Sequence, residues 1–216
     1  GQLIDDENRL CGRFNVSKSV VREAVKLLVS KGLLEVRRGN GTKVKPRASW
    51  NLLDDDVLAW HLGTEPKPDF LKKLIDVRLM VEPNAAYWAA SNSSISQIDE
   101  IRKAHSDMER ATNIQEFVVA DAKFHRAVLR AANNELLTSM EGVIFSALLT
   151  SIKITNNDPI DNRTRSLPLH FEILNAIEMR NKEGAQTAMK EHMADTYDRL
   201  SILLPELNLE TKVYDN

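Results

Sequence analysis

Residues Leu33 to Lys45 constrain the fold more tightly than any other stretch. Leu33-Leu34-Glu35-Val36-Arg37 and Thr42-Lys43-Val44-Lys45 have the composition and alternation of two short strands, and they flank Arg38-Gly39-Asn40-Gly41, whose glycines supply the backbone freedom of a tight hairpin tip. Two short helices are expected immediately before this hairpin. Leu10 and Phe14 lie four apart between Glu7 and Phe14, Asn15-Val16 follows as a turn, and Ser17 is placed to cap a second helix. In that helix Val20, Ala24, Leu27 and Leu28 recur with helical spacing until Gly32, which suits a left-handed stop. Helix, tight turn, helix and hairpin in this order define a winged helix-turn-helix.

Charge separates this segment from the rest of the chain. Ser17 to Arg47 carries nine Lys or Arg against two acids, whereas residues 48 to 216 carry 18 against 26. The N-terminal end of the second helix holds Ser17, Lys18, Ser19 and, one turn on, Arg22. A DNA recognition helix needs hydroxyls, cations and free backbone N–H groups at that end, where they reach base edges and phosphates. The alternative is a plain cap at Ser17 with Lys18 and Arg22 solvated. A hairpin with Arg37, Arg38 and Lys43 can follow a phosphate backbone or enter a minor groove, and its position directly after a helix-turn-helix favours double-stranded DNA as the partner.

A single cysteine, Cys11, excludes an intramolecular disulfide and a multi-cysteine zinc site; it is expected as a small core residue of a protein from a reducing compartment. With no secretory leader and no apolar run near the ~20 residues of a spanning helix, a cytoplasmic location without membrane insertion is expected.

Trp50 to Trp60 reads as a connector with Asp54, Asp55 and Asp56 at the start of a helix, where they complement its dipole, and Pro66 and Pro68 end it. Beyond lie five longer amphipathic helices, at Asp69–Ala90, Ser94–Thr112, Ile114–Ala132, Glu135–Thr155 and Lys182–Leu203, with a shorter one at Pro168–Arg180. No sustained period-two alternation occurs here. The expectation is a mainly α protein: an N-terminal winged helix-turn-helix followed by an antiparallel all-α helical bundle.

Polar residues on apolar stripes mark a candidate site. The stripe Ile114, Phe117, Asp121, Phe124, Val128 puts a carboxylate inward, with His125 four residues on, and such a pair can chelate one ion. His170 lies with Ile173, Leu174 and Ile177, and His192 with Ala185, Met189 and Thr196. Each histidine alone is more often an ordinary core or surface residue; together they offer N and O ligands for zinc, or for nickel, iron or manganese. His61 and His105 are read as surface histidines. Arg78 interrupts the stripe Leu71, Leu74, Val81, Ala85, Trp88 and needs a buried anion, either internal, such as Glu82, or the carboxylate of a bound effector.

Phe14-Asn15-Val16-Ser17-Lys18-Ser19-Val20-Val21-Arg22-Glu23-Ala24, followed by Arg37-Arg38-Gly39-Asn40-Gly41-Thr42, resembles the DNA-binding domain of the GntR regulators. The resemblance implies DNA contacts from Asn8, Ser17, Lys18, Ser19, Arg22, Arg38, Gly39, Asn40 and Gly41. Asn8, Lys18 and Val20 depart from the Arg or Thr common in that family, so it implies DNA binding without fixing the operator. Family members have a helix ahead of Glu7, for which Gly1 to Asp6 is too short; the expectation is an incomplete, loosely packed first domain. Asp121-Ala122-Lys123-Phe124-His125, His170, His192 and the Val77-Arg78-Leu79 and Glu82-Pro83 runs resemble the FCD effector domain of the FadR subfamily, with Asp121, His125, His170 and His192 on its metal-ligand positions. The Trp50–Trp60 segment resembles galactonate-type regulators, which implies a sugar-acid effector.

The chain is therefore expected to divide into a winged domain at 1–47, a connector at 48–65, a metal- and ligand-binding helical domain at 66–205 and a tail at 206–216. It is expected to act as a homodimeric regulator of transcription and not as an enzyme. A metal-dependent hydrolase would need a further inward base, and a dimerising scaffold with structural metal would not answer to small molecules.

Overall fold

The computed structural model describes residues 1–37, 39–63, 68–155 and 162–205. Arg38, the linker prolines' neighbourhood at 64–67 and the expected tail at 206–216 lie outside the described residues. The chain separates into two compact units, Gly1–Thr64 and Glu65–Asn216.

In the first unit, helix α1 (Glu7–Phe14) starts where the Asp6 carboxylate accepts from the backbone N–H groups of Asn8 and Arg9, at 2.9 and 3.0 Å. It stops at Asn15 in the left-handed region (φ 53°), a conformation that asparagine tolerates better than most residues. Ser17 caps α2 (Lys18–Ser30), its Oγ accepting from Val20 N. Strands β1 (Leu34–Arg37) and β2 (Gly41–Val44) pair antiparallel, with Leu34 opposite Val44 and Arg37 opposite Gly41. Gly39 and Gly41, both at positive φ, form the tip. Gln2 to Ile4 extends this ribbon along β2: Ile4 N donates to Thr42 O and Val44 N to Gln2 O. Helix α3 (Asp55–Gly63) follows, its first turn clasping Lys31 between Asp54 and Asp56.

The first unit buries less of its apolar stripe than the periodicity predicts. Phe14, Val20 and Leu27 are exposed and α1 buries no residue. Cys11 is half-buried rather than a core residue.

Among the described residues the second unit is built of helices and the turns between them: α4 (Pro68–Asn92), α5 (Ile95–Arg110), α6 (Ile114–Ala131), α7 (Glu135–Ser139), α8 (Glu141–Thr155), a π-helical stretch (Asn162–Ser166), α9 (Leu167–Glu178) and α10 (Lys182–Leu203). Short connections turn α5 back on α6 and α9 back on α10, while α4 packs against α6, α8 and α10. The expected helix Glu135–Thr155 is two helices, because the Met140 N–H closes a tighter turn onto Leu137 O and ends α7. The buried face of α4 is set by Ala85, Ala86, Ala89 and Ala90, whose small side chains let neighbouring helices approach; Trp88, expected inward, sits at 38 % exposure on the edge of that face. The core centres on Ile101, Met108, Phe124, Val128, Ile173, Ile177, Met189 and Met193, where full burial of each large side chain contributes about 1.5–3 kcal/mol. No helix among the described residues is long and apolar enough to cross a membrane.

Gly32 ties α2 to the segment before α3. Its φ is +76°, and a Cβ there would meet Ser49 O at 2.7 Å, whereas a Cβ on Gly12 meets nothing within 4 Å. Gly32→Ala is expected to destabilise the first unit by about 2 kcal/mol, and Gly12→Ala to stabilise it by up to about 1 kcal/mol. Urea unfolding followed by Trp50 and Trp60 fluorescence in a Trp88→Phe background measures both; equal midpoints would contradict the close approach.

Candidate functional site

Helix α6 brings the first two candidate ligands together. Asn113 caps it by accepting from Glu116 N at 2.9 Å, and Phe117, Asp121, Phe124, His125 and Val128 are all buried. His170 comes from the first turn of α9 and His192 from the middle of α10; both are buried too. The ligand atoms of the three histidines lie within 4.8 Å of one another. His125 Nε2 and His170 Nε2 are 3.2 Å apart, and Asp121 Oδ1 is 3.3 Å from the former and 3.4 Å from the latter. Atoms bound to a single ion through bonds of about 2.0–2.2 Å stand at about this spacing.

The rings are oriented from behind. His170 Nδ1 donates to Ser166 O at 2.8 Å, so the lone pair of its Nε2 faces the cluster. Phe124 packs edge-on against His170, with centroids 5.0 Å apart. His125 Nδ1 pairs with Glu82 Oε2. Asp121 Oδ1 is buried and meets only the Nε2 atoms of His125 and His170, and His192 Nδ1 is buried with no hydrogen-bond partner, an arrangement that costs about 1–3 kcal/mol for such an atom. A shared cation offsets that cost, so the donor set fits a divalent metal ion.

Electrostatics point the same way. Burial pushes the Asp121 carboxyl up, but His170 and His125 override it and hold the group well below its ordinary value. Burial also acts first on Glu82, yet Arg78 and His125 bring it down to about 2. His125 is raised to about 9 because Glu82 and Asp121 outweigh the burial that disfavours its charge. His192 is pushed well below its ordinary value by burial and by the charges of His170 and His125. The pocket is thus built to hold positive charge between carboxylates while keeping His192 neutral, the form that ligates metals.

Arg78 is buried, and of the two anions open to it from the sequence the structure supplies the internal one: its Nε donates to Glu82 Oε1 at 2.6 Å, and its Nη2 meets Met193 Sδ at 3.6 Å. Glu82, absent from the candidate ligands, is the functional neighbour that sequence reasoning placed only as a partner for Arg78. The surface reading of His105 is wrong. It lies on the buried stripe Ile98, Ile101, His105, Met108, against Phe124 and Phe171. His61 is half-buried and bonded to Arg47.

In the first unit Asn8, Ser17, Lys18, Ser19, Arg22, Gly39, Asn40 and Gly41 are all exposed, on α1, on the first turns of α2 and at the hairpin tip. Arg22 is not simply solvated: its Nε bonds both carboxylate oxygens of Glu7, at 3.0 and 3.1 Å.

A helix-turn-helix with a hairpin wing, together with a helical bundle around a buried histidine cluster, defines a DNA-binding transcriptional regulator. The chain belongs to the GntR family of bacterial regulatory proteins: residues 1–44 match that family and residues 73–195 match the FCD domain. It is 31% identical over 201 residues to the galactonate operon transcriptional repressor of Escherichia coli (strain K12), covering 93% of this chain and 88% of that protein. With the HTH-type transcriptional regulator LutR of Bacillus subtilis (strain 168) it shares 30% identity, covering 93% and 92%. A solved GntR structure from Streptococcus agalactiae aligns with a TM-score of 0.54 at 26% identity, covering 90% of this chain and 88% of that one.

A pH dependence follows for chelator-stripped protein. His125, at about 9 folded against 6.5 ordinarily, contributes stability that is fully present below pH 6.5 and lost as pH rises through about 9. Glu82, at about 2 against 4.5, contributes stability present above pH 4.5 and lost as pH falls through about 2. The second unit is expected to be most stable between these windows and to lose roughly 3 kcal/mol from pH 6.5 to above 9. Urea midpoints of the stripped protein that stay flat across that range would contradict the assignment.

Proposed function

We propose that this protein represses a catabolic operon and leaves its operator when a small carboxylate, specifically a sugar acid, binds beside a divalent metal ion in the helical unit. The observation that carries this reading is the convergence of Asp121 Oδ1, His125 Nε2 and His170 Nε2 at 3.2–3.4 Å, with His192 beside them, in a chain whose N-terminal residues match DNA-binding regulators. Residues 1–47 form the DNA-binding domain, 48–65 the connector and 66–205 the sensing domain. Asn8, Ser17, Lys18, Ser19, Arg22 and the wing at 38–41 meet the operator, and a homodimer sets two such surfaces on half-sites about one DNA turn apart. The protein works in the cytoplasm, where its operator lies.

The ligands are Asp121, His125, His170 and His192. Zinc suits this N and O donor set, and nickel, iron or manganese can use it as well. When bound, the metal supplies a Lewis-acid anchor for the effector's carboxylate oxygen. Arg78, whose charge already acts on His192, neutralises the acid. The relative named for the galactonate operon supports a sugar acid. Effector binding favours a bundle conformation that no longer presents both recognition helices to the operator. Hydrolysis is disfavoured because Glu82, the further inward carboxylate, has one oxygen on Arg78 and the other on His125.

Two outcomes are expected. Arg22→Ala weakens operator binding and lowers the salt slope of log K by about 1, while folding holds, since a solvent-screened surface pair such as Glu7–Arg22 adds little to stability; unchanged affinity removes Arg22 from the contact set. In thermal-shift measurements with aldonates, uronates, lactate, dicarboxylates and fatty acids, one acid stabilises metal-loaded protein, by about 2.7 kcal/mol at a hundredfold excess over Kd. The same acid is expected to have no effect on stripped protein or on His192→Ala. Indifference to every acid points instead to a scaffold with structural metal.

A further inference from the structure

We propose that Glu82 is the positioning residue of the metal site, holding His125 in the one tautomer and ring orientation that aim Nε2 at the ion. The inference rests on the metal reading above.

Glu82 lies on α4, outside the helices that carry the ligands, and reaches the back of the His125 ring because α4 packs on α6. Its side chain is 3 % exposed and that of His125 fully buried. The two carboxylate oxygens have different tasks. Oε1 accepts from Arg78 Nε at 2.6 Å, one helical turn away on the same face of α4, which fixes the rotamer. Oε2 pairs with His125 Nδ1. On the opposite side of the ring, His125 Nε2 faces Asp121 Oδ1 at 3.3 Å and His170 Nε2 at 3.2 Å. The result is a continuous line from guanidinium to carboxylate to imidazole to cluster.

This line has chemical consequences for His125 alone. In the neutral ring that ligates a metal, a proton held on Nδ1 by a carboxylate leaves Nε2 free to coordinate, and a negative charge behind the ring makes Nε2 a stronger donor. His170 is also held through Nδ1, but by the neutral carbonyl of Ser166. His192 Nδ1 has no hydrogen-bond partner. His125 is therefore the most firmly oriented of the three imidazoles. Arg78 supports the geometry at one remove: it neutralises Glu82 without touching the ring.

A purely structural Glu82, present only to neutralise Arg78, would leave the metal indifferent to it. Two measurements separate the cases. In zinc-loaded wild-type protein, long-range 1H–15N correlation of the histidine rings is expected to show His125 protonated at Nδ1, with a strongly downfield proton, and coordinating through Nε2. In Glu82→Gln, which keeps the shape and a neutral hydrogen bond, chelator competition is expected to show one zinc per chain bound about 10–100-fold more weakly, with the His170 ring signals unmoved. Coordination of His125 through Nδ1, or a folded Glu82→Gln protein with wild-type zinc affinity, overturns the inference while leaving the metal reading intact. A wild-type protein that binds no metal overturns both. Should Glu82→Gln fail to fold because Arg78 loses its buried partner, the wild-type ring spectrum decides the matter alone.

Discussion

The second unit depends on the burial of three imidazoles, two carboxylates and a guanidinium in one apolar interior. Such groups are expensive to desolvate unless each finds a partner. Arg78 and Glu82 satisfy one another, Glu82 reaches His125, and His170 finds the Ser166 carbonyl. Asp121 Oδ1 meets only the Nε2 atoms of His125 and His170, and His192 Nδ1 has no hydrogen-bond partner. Donor atoms gathered in one place in this way could hold a cation, and the packing around them is the apparatus that keeps them there.

That apparatus is mostly small and aliphatic. Ala85, Ala86, Ala89 and Ala90 bring the neighbours of α4 close, which is what lets Glu82 touch a ring on α6. Phe124 packs against both His170 and His105, so a fourth buried histidine belongs to the same packed layer outside the ligand cluster. The first unit has little of this density. It is held by caps, the hairpin ladder and the Lys31 clasp, with Ser17, Lys18, Ser19, Arg22 and the hairpin tip exposed.

Much of the site is legible in the sequence because helical spacing alone fixes which face a residue takes. The stripes through Asp121, His170 and His192 name three inward groups before any packing is known, and all three are buried. The same rule, applied to Ile98, Ile101, His105 and Met108, also turns His105 inward. Glu82 is half legible: its place one turn from Arg78 follows from spacing, but its contact with His125 is a matter of how α4 lies on α6. Residue size misleads at Trp88, where the alanines rather than the aromatic define the buried face. The break at Met140 has no proline to announce it, and Gly142 falls just beyond it, inside the first turn of α8. In the winged unit, capping by Asp6 and Ser17 and the positive φ of Gly32, Gly39 and Gly41 follow from residue chemistry, whereas the pairing of Gln2 to Ile4 with β2 is long-range and carries no local signal.

The central claim is that Asp121, His125, His170 and His192 hold one metal ion. The most direct test is metal analysis combined with X-ray absorption on zinc-reconstituted full-length protein. One zinc per chain, with imidazole scattering and a low-atomic-number ligand shell that is lost in His170→Ala, is the result this account predicts. Substoichiometric zinc, or a full equivalent that survives His170→Ala with the same scattering, would contradict it.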